Sequence, residues 1–209
     1  MRDTLLSEEG FTLPEMLVTM ITMLTVFFAL YSIFDASIRI FDFGNDKVEA
    51  VENARLGLEK MEREVRAAYP YDKGNNLGSG VNTRVLDTMG SSEIAFGNDL
   101  NGNNVVDSGE TIRYRLGGAG ATRLLQRSQP STGTAQDVVE YVLPPSASAP
   151  YPGAPTPYPG GLRFSYLTES GGTAASEAQV RVVRIELDVS KDGRVQKLST
   201  DVALRNRGS

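Results

Sequence analysis

The chain contains no cysteine, no histidine and no tryptophan. Without cysteine there is no disulfide framework and no thiolate metal site. Without histidine the commonest general base and the commonest metal ligand are both missing. A G-x-S-x-G elbow and a Gly-rich phosphate loop before a helix are also absent. The string GGAGAT at 117–122 sits between predicted strands and reads as a hairpin turn. The reading is therefore non-enzymatic, with no small-molecule substrate. A hydrolase built only from carboxylates would need two acids paired in a concave pocket, with split pKa values.

The chain does have one long uncharged apolar run, Met16 to Phe34. At about 1.5 Å per residue it spans roughly 28 Å, close to a hydrocarbon core of about 30 Å. Tyr31, Phe34, Phe41 and Phe43 lie at and beyond its far end, where aromatic rings favour the interface. Directly before the run stands GFTLPEM, Gly10 to Met16, with the carboxylate of Glu15 at the threshold. A charge at a membrane helix centre costs roughly 2.5–3.5 kcal/mol, less near its end, so an acid there points to function. A secretory signal peptide has a basic start, a shorter apolar core and a small-residue cleavage site behind it. The leader MRDTLLSEEG instead carries Arg2 against Asp3, Glu8 and Glu9. A plain signal anchor fits the length but leaves Glu15 and the GFTLPE string unexplained.

These residues resemble the class III signal of type IV prepilins and type II secretion pseudopilins. The resemblance implies cleavage by a prepilin peptidase between Gly10 and Phe11, then N-methylation of Phe11. It makes Glu15 the fifth mature residue, an assembly residue that meets the N-terminal amine of a neighbouring subunit. It also implies a single-pass protein of the inner (cytoplasmic) membrane, with its head outside the cytoplasm, that later joins a pilus or pseudopilus. Basic residues do not assign this orientation, because Arg2 precedes the run while Arg39 and Lys47 follow it. Loss of the leader removes Arg2, Asp3, Glu8 and Glu9, leaving 20 basic against 23 acidic residues, or −3 from a full-chain charge of −5. That balance argues against nucleic acid as a partner. The expected partners are the peptidase, other pilin or pseudopilin subunits, and the membrane through 11–44.

Past the run, Gly44 and Asn45 mark a weak point where a helix can kink, or end and restart. From Asp46 to Ala68 the pattern is an amphipathic helix, with Val48, Val51, Ala54, Leu58, Met61, Val65 and Ala68 on one stripe. Glu59–Arg63 and Glu62–Arg66 are i,i+4 pairs in the favourable order. Asp46 and Glu49 suit its first turn, and Pro70 stops it.

Strands are predicted at 93–96, 111–116, 122–127, 138–143, 162–167, 180–189 and 195–204. A slip near Val183 suggests a bulge, and Lys191-Asp192-Gly193 a hairpin turn. SASAPYPGAPTPYPGG reads as a Pro/Gly loop inside one domain, and no internal repeat is apparent. The expected fold is α+β: a long N-terminal helix, membrane-spanning then amphipathic, packed on an antiparallel sheet, as in pilins. The expected divisions are leader 1–10, apolar helix 11–44, amphipathic helix 45–69 and β-rich head 70–209. Within the family, length and the tail LRFSYL…VRVVRIELDV…LSTDVALRN resemble minor pilins of the PilW type and J-type minor pseudopilins. That implies a role in filament initiation or at the tip. The alternative is a tip-displayed binding module, an adhesin or a DNA-uptake minor pilin, which Arg113, Arg115, Arg123 and Arg127 on adjacent strands would favour.

One loop has metal-ligand spacing. Set against an EF-hand loop, Asp99, Asn101, Asn103, Val105 (through its carbonyl), Asp107 and Glu110 take the ligand positions, with Asn104 where glycine is usual. The ion would be Ca²⁺, held with low affinity. The other reading is an Asn/Gly turn closed by side-chain-to-backbone hydrogen bonds.

Overall fold

The computed structural model describes residues 10–68, 85–102, 106–107, 109–119, 123–129, 133–191 and 193–204. The expected leader up to residue 9, Pro70 with the loop after it, Asn103 and Val105 lie outside these. The fold class is α+β, one long apolar N-terminal helix and a curled antiparallel sheet. By internal contacts the chain divides between Asn45 and Asp46.

Helix α1 covers Leu13–Arg66. Pro14 stands in its first turn, where a missing N–H leaves nothing unsatisfied. Helical structure continues through the weak point at Gly44 and Asn45, as the expected single long helix requires. A single glycine weakens a helix by about 1 kcal/mol, and the long flanking segments outweigh it. In the first unit every residue from Phe11 to Phe34 is exposed. This stretch is long and apolar enough to cross a membrane. Its hydroxyls turn inward: Thr19 donates to Met16 O and Thr25 to Thr22 O, and Ser32 donates to Phe28 O. Back-bonding of this kind leaves the outer surface apolar.

In the second unit eight strands form one sheet: β1 (Leu86–Met89), β2 (Glu93–Gly97), β3 (Thr111–Gly117), β4 (Arg123–Ser128), β5 (Gln136–Val142), β6 (Leu162–Leu167), β7 (Val182–Val189) and β8 (Gln196–Ala203). Their order is β1-β2-β3-β4-β5-β7-β6, with β8 also paired to β7. β5 pairs with β7 at Val142–Val189, flanked by the Ser190 amide on the Tyr141 carbonyl at 2.8 Å and the Leu143 amide on the Asp188 carbonyl at 3.1 Å. A short 3₁₀ turn, Glu177–Gln179, precedes β7, and the Glu177 carboxylate accepts the amides of Val85 and Leu86 beside β1.

Alternate residues of the strands point to one core, which the helix completes through Ala50, Ala54, Leu58, Met61 and Val65. Each large apolar side chain so buried contributes about 1.5–3 kcal/mol. The buried stripe starts later than the spacing predicts. Val48 is exposed and Val51 half-buried, because the head first covers the helix at Ala50. Before that point the helix is held by charge: Lys191 Nζ lies 2.9 Å from Asp46 and 2.7 Å from Glu49.

The predicted bulge in β7 is not there. Its register with β8 runs unbroken from Val182–Ala203 to Val189–Gln196. The strand begins at Val182 rather than Val180, so Val183, Ile185, Leu187 and Val189 form the inward set. The register shifts fall instead in the β1–β2 and β4–β5 pairings.

Candidate functional site

The sequence-predicted processing residues lie together at the start of the apolar helix. Gly10 and Phe11 precede the first helical residue, Leu13, and both are exposed. Glu15 occupies the first turn, where the partial positive charge of the helix N-terminus favours an anion. The Gly10–Phe11 bond is therefore uncovered and outside regular structure, followed within five residues by the Glu15 carboxylate.

The 99–110 loop connects β2 to β3. Asp99 Oδ1 accepts the amide of Gly102 at 2.8 Å, and Asn101 Nδ2 donates to Asp107 Oδ2 at 3.0 Å. The Glu110 carboxylate is buried and accepts three backbone amides: Leu100 at 3.2 Å, Asn101 at 3.1 Å and Asp107 at 2.9 Å. Among the described residues, Glu110 therefore closes the loop from inside, as side chains do in Asx-type turns.

The four arginines do not make an open basic patch. Arg113 pairs with Glu93 at 2.7 Å. Arg127 is buried against Glu64 of the helix at 2.9 Å. Arg123 donates to the Gly118 carbonyl. Arg115 is exposed. Glu59 and Glu62 line an open cleft, but they share it with Arg63 and Arg66. There Glu62 is paired with Arg66 and also accepts from Thr200.

Sequence reasoning missed the most elaborate polar cluster. Asp188 of β7 points away from the core cluster and is nevertheless buried. Its Oδ2 accepts the hydroxyls of Tyr151 and Tyr158, both at 2.7 Å, and Arg163 Nη1 at 2.9 Å. Arg163 also pairs with Glu186 at 3.3 Å. The two rings meet edge to face, centroids 5.9 Å apart, and Lys197 Nζ lies 3.7 Å from the Tyr151 centroid. Burial pushes the Asp188 carboxyl up, and the hydrogen bonds from Arg163, Tyr151 and Tyr158 outweigh it, holding it below the ordinary carboxylate value.

The signal was a repeat after all: Pro-Tyr-Pro-Gly stands at 150–153 and again at 157–160. The first copy makes a turn, with Ala154 N donating to Tyr151 O at 3.1 Å and Gly153 at φ 83°. Proline then glycine at the two central positions is the type II signature. In the second copy Gly160 likewise has positive φ, 110°. Gly161 follows, where a Cβ would come 2.3 Å from the Asp188 carbonyl. Only glycine lets the chain pass so close to β7.

No family model matches the chain, and no curated protein matches it either.

Proposed function

We propose that this chain is a minor subunit of a type IV pilus-like filament or a type II secretion pseudopilus. It is made as a precursor, cut by a prepilin peptidase between Gly10 and Phe11, and carried in the inner membrane with its head outside the cytoplasm. It enters the filament through its N-terminal helix and acts in initiation or at the tip. The observation that carries this reading is the GFTLPEM string, uncovered and directly at the start of an exposed apolar helix.

Glu15 has one role here. After cleavage the Phe11 amine is a cation at the head of an apolar helix, and a carboxylate from an adjacent subunit neutralises it. The engagement of Arg113 and Arg127 with glutamates favours the structural role over a DNA-uptake role. A calcium ion in the 99–110 loop belongs to the same proposal. Its ligands would be Asp99, Asn101, Asn103, Asp107 and Glu110, with the Val105 carbonyl. Glu110 would have to exchange its three backbone amides for the cation.

Intact-mass analysis of the protein co-expressed with a prepilin peptidase tests the reading. The expected product starts at N-methylated Phe11. Recovery of residues 1–10 on all of the membrane-inserted protein would overturn it.

A further inference from the structure

The loop from residue 144 to 160 carries no charged residue. Its ends are joined by the Gly161 amide on the Leu143 carbonyl at 2.8 Å. One step in, Ser146 and Tyr158 exchange two backbone hydrogen bonds at 3.0 and 2.7 Å. A long loop with joined ends is a unit of its own. It contributes almost nothing to the core: Tyr158 and Gly160 are its buried residues, and neither belongs to the main apolar cluster.

What fastens the loop beyond its base is polar and concentrated. Both tyrosine hydroxyls end on the same oxygen of Asp188, which Arg163 also holds. The backbone below does not depend on that contact. β7 keeps its pairing with β6 from Leu162–Leu187 to Leu167–Val182, and with β8 along its whole length. Segments with few buried apolar contacts open separately from the global core. Here two copies of one tetrapeptide share one acceptor, with Arg163 also donating to the Gly160 carbonyl at 3.1 Å and Lys197 over the Tyr151 ring, so loss of that acceptor loosens both.

We propose that residues 144–160 are a strap over the outer face of β6 and β7, opening and closing as one unit with the Asp188 carboxylate as its main latch. Closed, it covers Asp188. Open, it uncovers the Asp188–Arg163 pair and frees both Pro-Tyr-Pro-Gly copies, while the sheet beneath stays folded.

Hydrogen exchange on the full chain in detergent micelles tests this, comparing peptides from 144–160 with peptides from 182–189. In Asp188→Asn the strap amides, Ser146, Ala154 and Tyr158, should exchange about tenfold faster or more, and the β7 amides at the wild-type rate. Tyr151→Phe with Tyr158→Phe should do the same while leaving Asp188 and Arg163 intact, and it replaces the first variant if Asp188→Asn does not fold. Either single Tyr→Phe should have a smaller effect than the pair. Strap exchange unchanged in the double variant would overturn the latch. Strap and β7 amides accelerating together would show that the loop opens only with the whole head, and would overturn the unit.

Discussion

Glu64 of the helix and Arg127 of β4 meet with Oε2 and Nε 2.9 Å apart, both largely shielded from water. Tyr114 of β3 donates to the same carboxylate at 2.7 Å. Burial and the Glu64 charge both push the Tyr114 hydroxyl up, so it stays protonated and remains a donor. The helix is thus tied to two strands through one acid. Removing one partner of a buried pair costs about 3–5 kcal/mol, because the other charge is left uncompensated. Glu64→Ala should destabilise the head by about 3 kcal/mol, and Tyr114→Phe by about 1.5 kcal/mol. Urea unfolding followed by near-ultraviolet absorbance or circular dichroism gives both numbers. Equal, small effects would mean that the contact is merely geometric.

Gly57 shows a second kind of tie. It lies mid-helix, where alanine is ordinarily better by about 0.5–1 kcal/mol. A Cβ there would stand 2.0 Å from Val139 Cγ2, on a fully buried and β-branched neighbour that cannot easily turn away. Overpacking of this kind costs about 1–3 kcal/mol. Gly57→Ala should therefore destabilise the head, and in a Val139→Ala background the same change should stabilise it. A double-mutant cycle reads the coupling directly.

Much of this architecture was legible in the sequence, and the exceptions are instructive. β6 lies where alternation placed it, Leu162–Leu167, because its inward set Leu162, Phe164 and Tyr166 is unambiguous. β1 was invisible: in LDTM the apolar residues stand only at the two ends, so there is no alternation to read. Val180 misled, since a valine just before a strand looks like one inside it. The Asp188 cluster could not be read locally at all. An aspartate in a strand ordinarily faces water, and only the return of the loop, with its two Pro-Tyr-Pro-Gly copies, brings the tyrosines to it.

Acid should act through Asp188. The groups facing it are Arg163 from β6, Tyr151 and Tyr158 from the loop, and Lys197 opposite it on β8, with Glu186 nearby on β7. Its folded-state value lies below the unfolded one. A carboxyl so shifted gives its full stabilisation above the ordinary value of about 3.9 and loses it as pH falls further. Head stability should decline on acidification through that range, with strap amides exchanging first. Asp188→Asn, already uncharged, should flatten this part of the profile. An identical acid limb in wild type and variant would place the titration on other carboxyls.

In the proposed filament role, Glu15 separates insertion from assembly. The residue is exposed at the first turn of a helix whose apolar surface is otherwise sufficient for a membrane. Glu15→Val removes only a charge that is costly in lipid. The variant should insert and lose its leader normally, yet incorporate poorly into filaments, because the Phe11 amine then lacks its partner. Cell fractionation and filament shearing, with immunoblots of both fractions, measure the two steps. Wild-type incorporation would count against the pairing.

If the proposed calcium site forms, the 99–110 loop has two states of one carboxylate. As the structure stands, Glu110 accepts the amides of Leu100, Asn101 and Asp107. With Ca²⁺ it would turn to the ion as a bidentate ligand beside Asp99 and Asp107. A ligand that binds only the folded state stabilises it by RT ln(1 + [L]/Kd), about 2.7 kcal/mol at a hundredfold excess over Kd. Millimolar Ca²⁺ should raise the melting temperature, and Mg²⁺ should raise it less because it demands tighter octahedral geometry. Glu110→Ala separates the two states. It should lower stability without any ion, since three amides near a buried site lose their acceptor, and it should also abolish the Ca²⁺ increment. A variant that is destabilised, from a parent whose melting curve is the same in Ca²⁺ and in chelator, would make Glu110 a turn-closing residue and the loop an Asn/Gly turn.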